Sequence, residues 1–343
     1  MYAKNERVTI KDIARAANVS VATVSRVINK NYFVSEDVTQ RVRKAVDELG
    51  YISNSIARSL KINTTNTVGF VVSNISNPYH TSMAQAVEDE IKKQNYNMIV
   101  CSTVNSKERE ISHLKLLMSK NVDGLILNPT CENIEFVMEM SKVIPIILIN
   151  RRILHNEFVG DLVDSNNRKG GYILAKQLLR LGHRKILVLR GPKHMSNANE
   201  RFAGVLDAMK EFDLKVDDEY PQRVICHFAD ADGARACEYL SEMENKPTAV
   251  ISLSNLVATG FLRTLRKKRI ILPEDISFVG FDNMDNWDLL ESRPTLVKYD
   301  TVAMGAQVGK AIIERIQNRA LPNREFIFEP TLLHGNTLGL PRE

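Results

Sequence analysis

Hydrophobic residues near the start of the chain recur at the spacing of an amphipathic helix. Ile10, Ile13, Ala14 and Ala17 lie on one apolar stripe. This stripe predicts a short helix, and Thr9 is a suitable residue to cap it. A helix this short needs neighbouring helices to bury its stripe.

A turn and two further helices follow the first predicted helix. Asn18 can form the turn, because asparagine tolerates a positive φ better than most residues. Ser20 can cap a second helix over 21–29, and a third helix can begin at Ser35 and end at Gly50. Two short helices joined by a tight turn form a helix-turn-helix, so the pattern predicts a small DNA-binding module.

From residue 67 onward, continuous apolar segments alternate with helical segments. Strands are predicted at 67–73, 97–102, 123–127, 145–149, 185–190, 223–228, 248–253 and 276–281. Apolar strands separated by helices are typical of parallel sheets covered on both faces. A total of about ten strands favours two sheets of five or six. Two such lobes would meet at a crevice suited to a ligand.

The positive charge of the chain is concentrated in its first sixth. Residues 1–61 contain 11 Lys+Arg and 6 Asp+Glu, and the remaining residues contain 35 of each. A basic module on a neutral body is typical of a protein that binds a polyanion such as nucleic acid. Charge alone leaves open the alternative of a solvated helical face.

The composition is that of a globular protein with two or three domains: 343 residues, 44% hydrophobic and 25% charged. The longest apolar segment, 143–149, is too short to cross a bilayer, and the first residues lack the apolar region of a secretory signal. The cysteines at 101, 131, 226 and 237 show no pairing pattern. We therefore expect a cytoplasmic protein with reduced thiols and no membrane partner.

Motifs of enzymes are missing from the sequence. It contains no nucleotide-binding glycine loop, no hydrolase nucleophile motif and no zinc-peptidase motif. The seven histidines are scattered, and none has a cysteine or carboxylate at metal-ligand spacing. We expect no catalytic residues, no metal and no cofactor, and we expect that the chain is not an enzyme.

The second predicted helix has side chains that suit the major groove of DNA. Val21 and Ala22 are small enough for close approach, and Arg26 can donate two hydrogen bonds to a guanine. Three polar side chains on the same helix could bind phosphates and set the register: Thr23, Ser25 and Asn29. The alternative is a structural three-helix bundle with an ordinary surface arginine.

The segment VTIKDIARAANVSVATVSRVIN, residues 8–29, resembles the N-terminal signature of the lac-repressor/galactose-repressor family of bacterial transcription regulators. It departs from that signature at Asn18, where the family usually has glycine. The resemblance implies that the second helix reads DNA in the major groove. It also implies that Thr9, Ser20 and Tyr51 belong to the DNA-contacting set.

The next segment, YISNSIARSLK at 51–61, resembles the hinge helix of that family. About eight residues are too few for an isolated helix to persist in water, so we expect it to fold only against a twin helix and DNA. The resemblance implies that Leu60 wedges between base pairs in the minor groove, with Asn54, Ala57 and Lys61 also at the DNA. A flexible linker with an incidental leucine is the alternative.

The rest of the chain resembles the two-lobed, periplasmic-binding-protein-like core of the family, on segments such as LGHRKI at 181–186 and PEDISFVGFDN at 273–283. This implies an α/β fold class with parallel sheets behind an all-α headpiece. The implied domains are a headpiece over 1–52, a hinge helix and linker over 53–66, and a ligand-binding core over 67–343. The implied first lobe comprises 67–164 and 296–325, and the second comprises 165–295 and 326–343.

Candidate ligand-binding residues follow predicted strand ends, where a cleft between the lobes would lie. Arg201, Asp282 and Arg151 could bind hydroxyl groups in pairs, and Phe228 and Tyr79 could stack on a sugar. The resemblance assigns a ligand-binding role most directly to Arg201 and Asp282. Further candidates at corresponding positions are His80, Asn150, Met195, Asn197, Ser254 and Tyr299.

Some of these candidates have simpler alternative interpretations. Phe228 could be an ordinary core residue, and His80 and Arg201 could be exposed to solvent. We expect Tyr299 to narrow or reshape the pocket. Met195 and Asn197 do not reproduce the arginine and threonine of purine-binding relatives. These departures favour a sugar or sugar derivative over a nucleobase.

These observations predict a homodimeric repressor that binds a pseudo-palindromic operator and is switched by a small, sugar-like effector. Two-fold protein symmetry matches two half-sites. No heptad pattern follows the second lobe, so a dimer is expected rather than a tetramer. Three alternatives stay open: a transport-type sugar-binding protein, a regulator that responds to a nucleobase, and a regulator that binds a phosphocarrier-type protein as corepressor.

Overall fold

The computed structural model describes residues 8–29, 32–51, 64–153, 155, 157–217, 220–282, 284 and 287–342. The chain divides into two compact units, one ending at Thr65 and one beginning at Asn66. We call the first unit the headpiece and the second unit the core.

Three helices form the headpiece: α1 (Ile10–Ala16), α2 (Val21–Asn29) and α3 (Glu36–Leu49). Their apolar stripes meet in a small core, where Ile13, Val24 and Val42 are fully buried. The helix-turn-helix expected from the hydrophobic pattern is confirmed.

Local hydrogen bonds fix the ends of these helices. The backbone N–H and the hydroxyl of Thr9 both donate to the carboxylate of Asp12, at 2.9 and 2.6 Å. The hydroxyl of Ser20 accepts from the N–H of Thr23 at 3.1 Å. Gly50 ends α3 with a φ of 59°. Capping of this kind stabilises helices that are too short to persist alone.

Asn18 forms the turn between α1 and α2 with a φ of 51°. Left-handed backbone is costly for most residues with a Cβ atom, and asparagine adopts it more readily than the others. Asn18 therefore fills the place of the family's glycine without disturbing the turn, as the sequence predicted.

The first lobe of the core contains a six-stranded sheet in the order β11-β5-β4-β3-β1-β2. All of its strand pairs are parallel. Its strands are β1 (Thr67–Val72), β2 (Asn97–Ser102), β3 (Gly124–Leu127), β4 (Ile146–Ile149), β5 (Asp161–Ser165) and β11 (Glu325–Phe328).

The second lobe contains another six-stranded sheet, in the order β12-β10-β9-β8-β6-β7. Only the pair β10–β12 is antiparallel among its described strand pairs. Its strands are β6 (Ile186–Arg190), β7 (Gln222–Ile225), β8 (Ala249–Ser252), β9 (Ser277–Phe281), β10 (Thr295–Lys298) and β12 (Thr331–Leu333).

Helices cover the sheets and pack in pairs, α4 against α11, α7 against α8, and α9 against α10. The helices of the core are α4 (Pro78–Lys92), α5 (Lys107–Ser119), α6 (Ile134–Val143), α7 (Asn167–Arg180), α8 (Ser196–Glu211), α9 (Asp230–Glu242), α10 (Asn255–Lys267) and α11 (Thr301–Gln317). Among the residues that the structure describes, none of the helices is both long and apolar enough to span a bilayer.

The chain passes between the lobes three times, after Ser165, after Lys298 and after Phe328. The resemblance places the second and third crossings near residues 295 and 325. In the structure both crossings come about three residues later, because β10 ends at Lys298 and β11 ends at Phe328. The cleft between the lobes is lined by residues that follow strand ends in both sheets.

The hydrophobic pattern did not predict β5, because this strand contains two aspartates that are fully buried. Asp161 is paired with Arg315 at 2.5 Å and with Arg324 at 2.8 Å. Burial alone would raise the pKa of Asp161, but hydrogen bonds from both guanidinium groups hold it below its ordinary value. Paired charges thus replace apolar side chains in this part of the first sheet.

Asp164 is held differently. One carboxylate oxygen accepts from the N–H of Ser165 at 2.7 Å and from the amide of Asn167 at 3.1 Å. The other oxygen lies 3.6 Å from Nε of Arg152. Burial, aided by the charge of Glu200, raises the pKa of Asp164 to about 6. Its folded environment therefore favours the protonated acid more than water does.

The raised pKa of Asp164 predicts a pH-dependent loss of stability. The native state binds this proton more tightly than the unfolded chain, where the pKa is near its ordinary 3.8. The contribution to stability is thus full below that value and is lost as the pH rises through about 6. In urea unfolding, we expect the wild type to lose up to about 3 kcal/mol relative to Asp164→Asn across this window. Equal pH slopes for the two proteins would contradict this.

The conformation of Asn18 predicts opposite outcomes for two small substitutions. Asn18→Ala places a Cβ without a compensating polar group in the left-handed region and should destabilise the headpiece by about 1 kcal/mol. Asn18→Gly should retain or slightly increase its stability. Hydrogen exchange of the α1 and α2 amides in the full chain measures both effects. Wild-type protection in the alanine variant would show that the turn is not under this constraint.

Candidate functional site

A cleft of about 730 Å³ lies between the two lobes of the core. Its lining residues follow the carboxyl ends of strands in both sheets. Nine of the residues predicted from the sequence line it: Tyr79, His80, Asn150, Arg151, Met195, Asn197, Phe228, Ser254 and Asp282. Pockets of this volume accommodate small organic ligands.

Three of these lining residues have left-handed backbone although none is a glycine. Asn150 follows β4 with a φ of 61°, Phe228 follows β7 with 62°, and Asp282 follows β9 with 62°. An aromatic residue in this conformation costs about 1–2 kcal/mol. Local strain of this kind is concentrated at functional sites, where it directs side chains to positions that regular strands do not reach.

Arg201 lies behind the wall of the cleft instead of lining it. Its Nε donates to the side-chain oxygen of Asn167 at 2.7 Å, and its Nη1 donates to the carbonyl of Leu253 at 2.9 Å. The same Nη1 is 3.4 Å from the carboxylate of Asp282. The guanidinium carbon also lies 4.2 Å from the ring centroid of Phe281. Arg201 is therefore buried, and its contact with the cleft is through Asp282.

Asp282 presents a carboxylate at the cleft with one oxygen directed to Arg201. The other oxygen, Oδ1, has no hydrogen-bond partner among the described residues. Burial raises the pKa of Asp282, while the charge and hydrogen bond of Arg201 oppose that rise. A carboxylate with one free oxygen can accept a hydrogen bond from a ligand hydroxyl.

Arg151 is a buried cation at the opposite wall, in the first lobe. Its Nη1 donates to the carbonyl of Pro129 at 2.8 Å, and its Nη2 donates to the side chain of Asn105 at 2.9 Å. The guanidinium carbon is 5.9 Å from the centroid of the Phe228 ring. Burial lowers the pKa of Arg151 to about 10, so the side chain is still charged near neutrality.

His80 is buried, which rules out the alternative of a solvent-exposed histidine. Its Nε2 is 2.9 Å from the hydroxyl of Ser73 and 3.3 Å from the amide nitrogen of Asn128. Burial, reinforced by the charge of Arg151, lowers the pKa of His80 to about 3. The imidazole is therefore neutral and serves as a hydrogen-bonding group at the cleft.

Tyr299, which the sequence predicts to narrow or reshape the pocket, lies behind the cleft wall. Its ring is buried against Phe281, and its hydroxyl donates to the carbonyl of Asn166 at 3.2 Å. It is not among the lining residues. The position after β10 thus fills the space behind the cleft, because the chain turns towards the first lobe at this point.

Three contacts across the cleft were not predicted from the sequence. Asn77 and Asn255 form a reciprocal amide pair, with nitrogen–oxygen distances of 2.8 and 3.4 Å. Arg152 donates its backbone N–H to the hydroxyl of Ser196 at 2.8 Å and pairs with Glu200 at 3.2 Å. Asn77 and Ser196 stand at the starts of helices, which was the only sequence signal at these positions. These contacts join the two lobes.

The headpiece carries the predicted DNA-facing residues on the outer side of α2. Val21, Ala22 and Arg26 are exposed, and the Arg26 guanidinium is 5.6 Å from the centroid of the Tyr32 ring. Ser20 and Thr23 are engaged in the helix cap, as is Thr9 in that of α1. Ser25 is half-buried on α2, and Tyr51 packs in part against the headpiece core. The Asn29 side chain and the predicted residues Asn54, Ala57, Leu60 and Lys61 lie outside the described part of the chain.

Two family models match this arrangement. Residues 9–54 match the bacterial regulatory proteins of the lacI family. Residues 65–328 match the periplasmic binding proteins and sugar-binding domain of the LacI family. The two matches cover the headpiece and most of the core.

Relatives share the arrangement over nearly the whole chain. The HTH-type transcriptional repressor PurR of Vibrio atlanticus (strain LGP32) is 32% identical over 332 residues, which cover 96% of this chain and 98% of the relative. The ribose operon repressor of Haemophilus influenzae (strain ATCC 51907 / DSM 11121 / KW20 / Rd) is 31% identical over 323 residues, covering 94% and 96%.

A solved structure agrees with the fold. The complex of the transcriptional regulator CelR with cellobiose matches with a TM-score of 0.71 and 25% identity, covering 97% of this chain and all of the other. The expected α/β fold with a helix-turn-helix headpiece is confirmed. The expectation that the chain is not an enzyme is confirmed by its family as well. The chain belongs to the LacI family of bacterial, DNA-binding transcription regulators.

Proposed function

We propose that the protein is a cytoplasmic repressor that binds a pseudo-palindromic operator as a homodimer and is switched by a small, sugar-like effector. The observation that carries this proposal is the presence, on one chain, of a helix-turn-helix whose second helix exposes Arg26 and of a ligand-sized cleft between two lobes. A transport protein would have no use for the helix, and a simple DNA-binding protein would have no use for the cleft.

Helix α2 is the DNA-reading element of the proposal. The exposed Val21 and Ala22 allow the start of the helix to approach base edges, and Arg26 reads a guanine. Hydroxyl and amide groups on α2 and at the flanking helix ends contact phosphates and thereby set the position of the headpiece along the duplex. This second set comprises Thr9, Ser20, Thr23, Ser25, Asn29 and Tyr51.

The hinge segment transmits the state of the core to the headpiece. In this proposal, Leu60 of each subunit wedges into the minor groove, while Asn54, Ala57 and Lys61 contact the DNA beside it. A helix of this length is unstable alone, so it folds only when its twin and the operator are both in place. Small changes in the core can then control DNA affinity.

A dimer is needed because one headpiece makes few base contacts, whereas two headpieces read two half-sites related by symmetry. Exposed apolar side chains on the edge strands of the core support self-association. Ile99 and Val100 on β2 are each 36% exposed, and Ile225 on β7 is 47% exposed. Edge strands with uncovered apolar residues are places where another chain can pack.

The cleft suits a ligand with several hydroxyl groups. Among the described residues, Oδ1 of Asp282 at one wall and Nε of Arg151 at the other are buried atoms without a hydrogen-bond partner. Phe228 provides an aromatic face between polar groups, as is common in sugar sites. The ribose operon repressor and the cellobiose complex, both similar to this chain, support a sugar by their names.

Ligand binding controls the operator affinity only if it favours one arrangement of the lobes. The amide pair of Asn77 and Asn255 and the ion pair of Arg152 and Glu200 hold the lobes together in this structure. A ligand that touches both walls strengthens the same arrangement.

The role of Arg26 predicts a change in sequence preference. Arg26→Ala should relax base selectivity at one position of each half-site by about 1–3 kcal/mol. Arg43→Ala is the matched control, because Arg43 is exposed on α3 and its loss removes the same charge from the headpiece. Selection from a random duplex library, followed by binding at several salt concentrations, measures both. Unchanged preference in Arg26→Ala would exclude Arg26 as a base reader.

The role of Asp282 predicts a loss of regulation without a loss of DNA binding. Asp282→Asn keeps the shape of the side chain but weakens its acceptance from ligand hydroxyls and its pairing with Arg201. We expect operator affinity close to that of the wild type and an effector response reduced at least about tenfold in sensitivity. Titration of the operator complex with the effector measures the response. A wild-type response would move the effector site away from the cleft.

A further inference from the structure

We propose that closure of the lobes takes up a proton at an acidic cluster between them, so that mildly acidic conditions favour the closed arrangement of the core. The acidic cluster consists of Asp164, Glu200 and Glu325 around the guanidinium of Arg152, and none of these residues lines the cleft. Closed here means that the lobes are in contact through Arg152 and Glu200, as they are in this structure. The inference rests on the proposed function in treating the arrangement of the lobes as the regulated state.

Three carboxylates share one guanidinium in the acidic cluster. Nε of Arg152 lies 3.2 Å from Glu200 and 3.6 Å from Asp164. Its Nη1 donates to the carboxylate of Glu325 at 2.9 Å. One positive charge therefore faces three negative charges when all three acids are ionised. Carboxylates that share a partly buried site repel each other, and the binding of one proton reduces that repulsion.

The acidic cluster is complete only when the lobes are closed. Arg152, Asp164 and Glu325 belong to the first lobe, where they follow β4, lie in β5 and begin β11. Glu200 belongs to α8 of the second lobe, as does Ser196, whose hydroxyl accepts from the backbone N–H of Arg152 at 2.8 Å. Separation of the lobes would withdraw Glu200 and leave Asp164 beside Arg152. Closure therefore adds one negative charge to a group that already has an excess.

Asp164 is the acid placed to hold the proton. Its side chain is fully buried. One carboxylate oxygen accepts from the N–H of Ser165 and the amide of Asn167, while Oδ2 has no hydrogen-bond partner among the described residues. Burial, reinforced by the charge of Glu200, raises the pKa of Asp164 to about 6. Because Glu200 and part of this burial come from the second lobe, the closed arrangement binds the proton more tightly than an open one.

The other charged and titratable groups that face Asp164 do not compete for this proton. Arg201 of α8 opposes protonation by its positive charge, but it is also paired with Asp282 at 3.4 Å. The phenols of Tyr79 and Tyr299 interact with Asp164 as well, and burial raises the pKa of both above the ordinary value. Both phenols are therefore neutral where Asp164 titrates.

Hydrogen exchange of the Arg152 amide in the full-length protein tests the proposal without effector or DNA. This N–H donates across the lobes to Ser196, so its protection reports the closed arrangement. At constant ionic strength, the protection factor, corrected for the intrinsic exchange rate, should rise at least about fivefold between about pH 7.5 and about pH 5. The amide of Asn150, which donates to the carbonyl of Val163 within the first lobe, is the internal control and should change less than about twofold.

Variants assign the rise in protection to the acidic cluster. Asp164→Asn has the shape of the neutral acid, so its protection should be high at both pH values. Glu200→Gln removes the charge that closure adds, and its rise should be about twofold or less. The matched control is Asp207→Asn, which removes another carboxylate of α8, one that pairs with Arg168 inside the second lobe at 2.6 Å. This control should retain the wild-type rise.

A binding measurement separates this inference from the proposed function. The ratio of the affinities of wild type and Asp164→Asn for the selected duplex should change at least about threefold between the same two pH values, because the proton and the DNA both act on the arrangement of the lobes. Protection that follows the pH while this ratio stays constant would contradict the proposed control of DNA binding by the lobes.

Two results would overturn the inference and leave the proposed function in place. One is a protection of the wild-type Arg152 amide that does not change between the two pH values. The other is a rise in Asp164→Asn equal to that of the wild type or, if that variant does not fold, an equal rise in Glu200→Gln.

Discussion

The geometry of the cleft depends on one buried guanidinium. Arg201 joins the start of α7, the end of β8 and the end of β9 through Asn167, Leu253 and Asp282. It can do so because α7 and α8 approach each other very closely. A Cβ atom on Gly171 would lie 1.9 Å from the carbonyl oxygen of Arg201, and one on Gly204 would lie 1.8 Å from that of Arg168. Helix packing thus sets the position of the arginine, and the arginine sets that of the carboxylate.

The two walls of the cleft have complementary chemistry. The second lobe presents the Asp282 carboxylate, which pairs with Arg201, while the first lobe presents the Arg151 guanidinium, whose Nε has no hydrogen-bond partner among the described residues. Polar contacts between Asn77 and Asn255, and between Arg152 and Glu200, keep these walls together. In the proposed function, a ligand that contacts both walls adds to these interlobe contacts, and a small molecule thereby controls the arrangement of the two lobes.

The sequence predicted the parts of this protein that follow from local periodicity and from short capping signals. These parts are the three headpiece helices, the turn at Asn18 and the alternation of strands and helices. Strand β5 was missed because its aspartates are balanced by Arg315 and Arg324, which are distant in sequence. The sequence identified the cleft residues because they follow predicted strands. It did not distinguish residues that line the cleft from residues that support its wall. Whether Tyr299 and Arg201 face the ligand or lie behind the wall depends on packing between helices and sheets, which periodicity does not encode.

In the proposed function, occupancy of the cleft decides how tightly the headpieces hold the operator. The most direct measurement is the affinity of the full-length protein for its selected duplex and for a random duplex of equal length, at physiological salt, with and without a ligand that binds the cleft. We expect a strong preference for the selected duplex in one ligand state and a large reduction of that preference in the other. Equal affinity for both duplexes in every ligand state would contradict it.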